Sequence, residues 1–454
     1  MRIYLCFVAL FLVLGSKGQI TFQKTYGTVN DEYGYSVSLT SDGGYIIGTP
    51  YNGKWSVIKT DAYGDTIWLK TYPFLSTTAN YQITHSIIQT KDGNYVMAGS
   101  LTDSSAFLLK INSIGDTLWY YKSTHATYPI KYRKVVEDKD SNLIVVGSRE
   151  VIISTYCCDP GIIKFHKNGK KIWAIQPYCP GPPGCRFEDI SIDNGGNYMI
   201  TGDAFGSVGP PSPRLLKMDT AGNVVWDKFY YSTMHAQSIS LIQSPDSGYV
   251  LTGMQADGSD SVCLFKTDKA GNFQWTKRYK GAGTGYWMAY SIDTTFGGYF
   301  IAGNTSGNIF LMKLDLGYNY LWSVQYGGTS GETCGQVKST LDSGCVIIGS
   351  SSSFGSGAND VYFIKGDKNG NAAGLKEIML PGKEIMIYPN PANNRINLQA
   401  QKEEIGNVTI FNLIGETVFR TQVKTRRSEI DISGLQNGAY ILQCQGRNYK
   451  LIKE

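Results

Sequence analysis

Short apolar runs that end in glycine recur along most of this chain. They are YIIG at Gly48, YVMAG at Gly99, LIVVG at Gly147, YMITG at Gly202, YVLTG at Gly253, YFIAG at Gly303 and CVIIG at Gly349. The successive spacings are 51, 48, 55, 51, 50 and 46 residues. A second landmark follows each of the first six runs. A polar residue, usually Asp, precedes a Trp by seven positions: Asp61 to Trp68, Asn112 to Trp119, His166 to Trp173, Asp219 to Trp226, Asp268 to Trp275 and Asp315 to Trp322. Val, Ile, Tyr and Trp suit a pleated surface, and the Asp and Gly between the runs suit tight hairpins. Each unit therefore predicts four strands, a to d, and a period near 50 predicts the blades of a propeller.

The seventh unit has its Asp367 turn, but Gly374 stands where the Trp belongs. The N-terminus supplies a replacement. Phe22-Gln23-Lys24-Thr25-Tyr26 matches WLKTY at Trp68, WDKFY at Trp226 and WTKRY at Trp275. The strand at 22–26 is thus expected to complete the last blade and cover an edge that would otherwise invite aggregation. The predicted architecture is all-β: a seven-bladed β-propeller over 19–371, a linker over 372–382, and a small β-sandwich over 383–454.

Residues 1–18 read as a secretory signal peptide, with Arg2, an apolar run from Ile3 to Leu14 and the small-x-small site Ser16-Lys17-Gly18. No other long apolar run exists, so no transmembrane segment is expected after its removal. The formal net charge is +5, but residues 19–382 carry 30 positive and 30 negative side chains. A balanced repeat region gives no reason to expect nucleic acid as a partner.

An exported chain permits disulfides. Cys157 and Cys158 stand in one long loop and Cys179 and Cys185 in the next. A bridge between the two loops is expected, with a local Cys179–Cys185 bridge as the alternative. The four histidines, His85, His125, His166 and His235, are scattered. Neither a metal site nor a cofactor is expected.

Residues 383–454 differ from the repeat. Tyr388-Pro389-Asn390-Pro391 opens the segment, Gly415-Glu416-Thr417-Val418 stands at its centre, and Leu435-Gln436-Asn437-Gly438-Ala439-Tyr440 closes it. In that order these motifs resemble the type A C-terminal sorting domain of the type IX secretion system of Bacteroidetes-type bacteria. The resemblance implies export through the outer membrane by that machinery, and a final location on the cell surface or in the medium. It implies nothing about what the propeller binds. The repeats themselves resemble uncharacterised propellers carried by such cargo and, distantly, quinoprotein-like propellers. Their Asp-to-Trp spacing is one residue shorter than in the latter, so the Trp residues are expected to pack blades.

The a–b and c–d turns are short and uniform on one face. The b–c and d–a loops on the other are long and variable, which is where binding usually resides. Aromatic residues there suit a glycan or surface protein as ligand, and the candidates are Tyr128, Tyr156, Tyr178, Phe205, Tyr286 and Trp287. The rival expectation is a polysaccharide hydrolase or lyase at the central channel. It requires a carboxylate pair, for which Asp189, Asp193, Asp293 and Asp342 are nearest.

Overall fold

The computed structural model describes all residues except 1–18, 52, 77–85, 102–104, 124–129, 151–157, 180–183, 206–211, 231–235, 256–260, 280–285, 357, 380–384, 389–391, 401–403, 414 and 445–446. Two compact units divide near residue 378.

The first unit is the propeller. Blade 1 comprises Ser36–Leu39, Tyr45–Tyr51, Lys54–Thr60 and Thr66–Ser76, paired antiparallel in that order. The next five blades repeat the plan, with inner strands Ser86–Gln89, Ile130–Glu137, Gly184–Ile192, Ala236–Gln243 and Trp287–Thr295. Blade 7 starts at Glu332–Ser339 and continues through Cys345–Ser351 and Asp360–Gly366. Its fourth strand is Phe22–Gly27, with Phe22 opposite Lys365 and Tyr26 opposite Val361. That register matches Trp68 opposite Lys59 and Trp119 opposite Lys110, so the N-terminal strand takes the place of a strand d.

A fifth strand, Leu375–Met379, pairs on the outer edge of Phe22–Gly27. Part of the span expected as a linker is therefore sheet. An exposed strand edge offers unpaired amides and carbonyls, and this segment satisfies one such row.

Strands b and c are buried on both faces. Tyr95–Ser100 and Ala106–Ile111 are buried throughout, whereas the outer strand Thr117–Ser123 is mostly open to solvent. Neighbouring blades cover both sides of b and c, which is why these strands read as continuous apolar runs. The Trp of each strand d closes the seam. A Cβ added to Gly115 would come within 3.1 Å of the Trp68 ring, and the pairs Trp119 with Gly169, Trp226 with Gly271 and Trp322 with Gly370 repeat this approach. Each of these glycines also has positive φ, which a side chain would disfavour. In blade 6 Tyr318 takes the glycine's place at φ 61°, and its ring meets Trp275 edge-on at 4.9 Å.

The second unit holds two sheets. One comprises Ile385–Tyr388, Arg395–Ala400 and Arg427–Asp431, the other Gly406–Phe411, Thr417–Val423, Gly438–Cys444 and Arg447–Lys453. Ile396, Leu398 and Ile430 from the first share a core with Val408, Ile410, Leu442 and Leu451 from the second. This is a small β-sandwich.

Candidate functional site

Every blade places a lysine in strand c, two residues before the Asp, Asn or His of the c–d turn, and it is buried in six blades and half-buried in blade 4. In six blades it pairs with a carboxylate of the a–b turn: Lys59–Asp42 at 2.8 Å, Lys110–Asp92 at 2.6 Å, Lys164–Asp138 at 3.0 Å, Lys217–Asp193 at 2.7 Å, Lys266–Asp246 at 2.8 Å and Lys365–Asp342 at 2.9 Å. Although half exposed, Asp42 and Asp246 are both brought down to about 2. Burial opposes that shift, but hydrogen bonds from the lysine and from Thr40 or Ser244 outweigh it. In blade 6 Phe296 replaces the carboxylate. Lys313 instead lies 4.3 Å over the Phe300 ring, and burial lowers its ammonium below the usual range. This lysine series is visible in the sequence and was not among the expected features.

The inner strands line a central channel. At the turn face it widens into a cavity of about 450 Å³ that includes Ser38, Ser86, Lys134, Asp189, Asp293 and Lys338. Towards the loop face lies a smaller space of about 20 Å³, bordered by Tyr35, Lys134, Glu188, Asp189, Tyr290 and Gln336. Polar side chains in this ring fasten neighbouring blades. Asp189 accepts hydrogen bonds from the Leu241 amide at 3.0 Å and the Ser240 hydroxyl at 3.1 Å. Asp293 accepts from the Ser339 amide at 2.8 Å. Gln336 accepts from the Val37 amide and the Ser36 hydroxyl. Lys134 lies 3.6 Å from Asp189. Burial pulls its ammonium down and Lys338 adds to that, against the attraction of Asp189.

The four carboxylates considered for catalysis thus separate into two kinds. Asp193 and Asp342 belong to a–b turns and hold the strand-c lysines Lys217 and Lys365. Asp189 and Asp293 face the channel, and each accepts a backbone amide from the next blade. Among the described residues, no group of His, Cys, Asp and Glu is placed to hold a metal ion.

On the loop face, Tyr178 is 78% exposed and Tyr286 is 45% exposed. Trp287 is a correction. It begins the inner strand of blade 6, is 1% exposed, and packs 4.7 Å from Phe310, so it belongs to the core. Its Gly-rich approach made it read as a loop residue. Tyr128 and Tyr156 lie outside the described residues, as does the side chain of Phe205.

The disulfide is a second correction. Cys179 is bonded to Cys185, with their Cα atoms 5.8 Å apart. The two loops do meet, since Cys158 pairs with Gly184 in the sheet, but the bond is the local one. Cys157 and the side chain of Cys158 lie outside the described residues. The base of this loop is anchored by Arg214. Its buried guanidinium donates to the Tyr178 carbonyl at 2.8 Å, pairs with Asp227 at 2.7 Å, and stacks on Phe187 and Phe229.

In the second unit Tyr388 pairs with Asn397, while 389–391 lie outside the described residues. Gly415 makes a turn at φ 87°, and the Tyr440 hydroxyl donates to the Gln436 carbonyl at 2.7 Å, fixing the turn before Gly438. These residues build the sandwich that the comparison then identifies. Residues 386–454 are a secretion system C-terminal sorting domain. The sorting domain makes the chain cargo of the type IX machinery, sent to the cell surface or released.

No curated protein is significantly similar in sequence to the chain. Solved structures that align with it include PorZ, an essential surface component of the type IX secretion system of Porphyromonas gingivalis, at 13% identity and TM-score 0.42, covering 92% of this chain and 70% of that one. Streptogramin B lyase aligns at 9% identity and TM-score 0.49, covering 76% and 97%. A protein of unknown function from Bacteroides caccae aligns at 13% identity and TM-score 0.37, covering 54% and 82%. No helix among the described residues is long and apolar enough to cross a membrane.

Proposed function

We propose that the propeller is a binding module that its sorting domain delivers to the cell surface or medium, and that it recognises a glycan or surface protein through the long-loop face. The supporting observation is Tyr178. Its ring is 78% exposed, yet the Cys179–Cys185 bridge and the Arg214 contact fix its backbone. An aromatic ring held ready in solvent binds with little ordering cost, which is how preorganised recognition surfaces gain affinity. The test is a glycan array and a surface-protein capture with the mature chain. Tyr178→Ala should weaken the ligand found there about tenfold or more. A ligand that Tyr178→Ala and a loop-opening Cys185→Ser variant both bind as well as the parent would remove the loop from the site.

A further inference from the structure

The turn-face end of the channel has its own chemistry, and it is independent of the loop-face reading. Its two lysines and the carboxylates Asp189 and Asp293 lie on different arcs. Lys338 comes from blade 7 and Lys134 from blade 3, and between them blades 1 and 2 contribute Ser38 and Ser86. The carboxylates Asp189 and Asp293 come from blades 4 and 6. Glu137, also from blade 3, accepts the Lys91 amide at 2.7 Å.

Two features of the cationic arc are unspent and a third is only partly engaged. Ser86 borders the cavity, and its buried hydroxyl has no hydrogen-bond partner among the described residues. A buried polar group without a partner costs free energy that a ligand can recover. Lys338 makes no ion pair with any described carboxylate, and its charge is felt at Lys134. Lys134 reaches Asp189 only at 3.6 Å, while Asp189 is already committed to the Leu241 amide and the Ser240 hydroxyl. The carboxylates opposite are each partly neutralised by backbone amides: Ile190 and Leu241 on Asp189, Thr294 and Ser339 on Asp293. Two ammonium groups flanking hydroxyls, in a cavity of about 450 Å³ with room for a small molecule, form a receptor for negative oxygen atoms.

We propose that the wide end of the channel binds a small oxyanion, a carboxylate- or phosphate-bearing molecule, between Lys134 and Lys338 with the Ser86 hydroxyl as a further donor. The ligand enters from the short-turn face, because the space towards the other end, beside Tyr35, Lys134, Asp189 and Tyr290, is only about 20 Å³. Its negative group sits against blades 7, 1, 2 and 3, and any uncharged remainder extends towards the mouth.

Calorimetric titration of the mature chain tests this, using inorganic phosphate, citrate and glucuronate as probes and glucose as the neutral control. At least one anion should bind with one-to-one stoichiometry, and glucose should not. Phosphate alone would assign a phosphoryl ligand, and citrate or glucuronate alone a carboxylate. Lys338→Gln should weaken that binding about ten- to a hundredfold, and Ser86→Ala should weaken it less. Lys269→Gln, on an exposed c–d turn, should leave it unchanged. Lys338 is half-buried and outside the packed core, so its variant is expected to fold, with circular dichroism and the melting midpoint as the check. No binding by any of the three anions, equal binding of glucose, or full binding by a folded Lys338→Gln variant would each overturn the proposal.

Discussion

Phe22 meets Gly64 across the seam between the last blade and the first. A Cβ placed on Gly64 would come within 2.8 Å of the Phe22 ring, the approach that Trp226 makes to Gly271 between blades 4 and 5. Four residues on, the Tyr26 hydroxyl donates to the Gly64 carbonyl, as Tyr230 does to Gly271 and Tyr326 to Gly370. The ring is therefore closed by the same aromatic, tyrosine and glycine contacts that join its other blades, made here by residues more than 300 positions apart from the blade they complete.

Phe22→Ala should cost about 3–5 kcal/mol, the range for truncating a buried aromatic side chain. Phe22→Trp, which restores the side chain used elsewhere in the ring, should stay near parent stability. Denaturant midpoints measure both. If Phe22→Ala melts with the parent, the seam at Gly64 is not a stabilising contact.

The repeat, the blade-packing role of Trp and the closure strand were legible because each rests on a residue type that recurs in register. The lysine ring recurs just as strictly and escaped notice, because a lysine within a strand suggests a solvent-facing side chain. Only the turn carboxylate 17 to 26 residues away explains its burial, and that partner shifts position between Asp42 and Asp138 type turns. Strand 375–379 was illegible for another reason: its partner is the N-terminal strand, and edge pairing leaves little local pattern. The channel chemistry depends on which inner-strand residues face the axis, and a bulge in most inner strands, as between Phe187 and Asp189, shifts the alternation.

Phe296→Asp should stabilise the propeller. It returns to blade 6 the carboxylate that pairs with the buried lysine in the other blades. The folded-state value of Lys313 lies below its unfolded one, so at neutral pH the charged lysine opposes folding, and that cost fades as pH rises past both values. A facing carboxylate should remove it, for a gain of about 0.5–1 kcal/mol, discounted because such a carboxylate is half exposed. The gain should shrink in 1 M salt. A melting midpoint unchanged or lowered at low salt would show that the turn cannot place the carboxylate over Lys313.

The turn carboxylates predict acid sensitivity. Asp42 and Asp246 are held at about 2 in the folded chain, below their ordinary value near 4. A lowered folded value means stability that is fully present above the unfolded value and is lost as pH falls towards the folded one. Denaturant midpoints should therefore drop between about pH 4 and pH 2. Lys59→Met with Lys266→Met should flatten that drop, since the lysine hydrogen bond is the largest influence lowering each carboxylate. A drop of equal size in the double variant would assign the sensitivity to other groups.

Removing 383–454 should leave a folded propeller, because the sorting domain has its own core and the closing strands lie at 22–27 and 375–379. The truncated chain should be retained in the periplasm. Surface delivery of that chain in a strain with the intact machinery would show a second export address within the propeller.

The last prediction concerns the thiols. Non-reducing peptide mapping of the exported protein should return the Cys179–Cys185 bridge, and a link from Cys157 or Cys158 to either residue would overturn it. The bridge closes a loop of only six residues, so Cys185→Ser should cost about 2 kcal/mol by the chain-entropy argument. The buried cysteines should behave differently. Cys345 is pushed up to about 12 and Cys444 to about 11, both by burial, and Cys334 is raised as well. A thiol reacts through its thiolate, so at pH 8 these groups should resist alkylation twice over, by lack of access and by lack of charge. Cys345 and Cys334 lie in the blade 6–7 core and Cys444 in the sorting domain, which makes them reporters of separate unfolding events. Pulsed alkylation along a denaturant series should label Cys444 in a different transition from Cys334 and Cys345. Simultaneous labelling at every denaturant concentration would mean that the two units unfold as one.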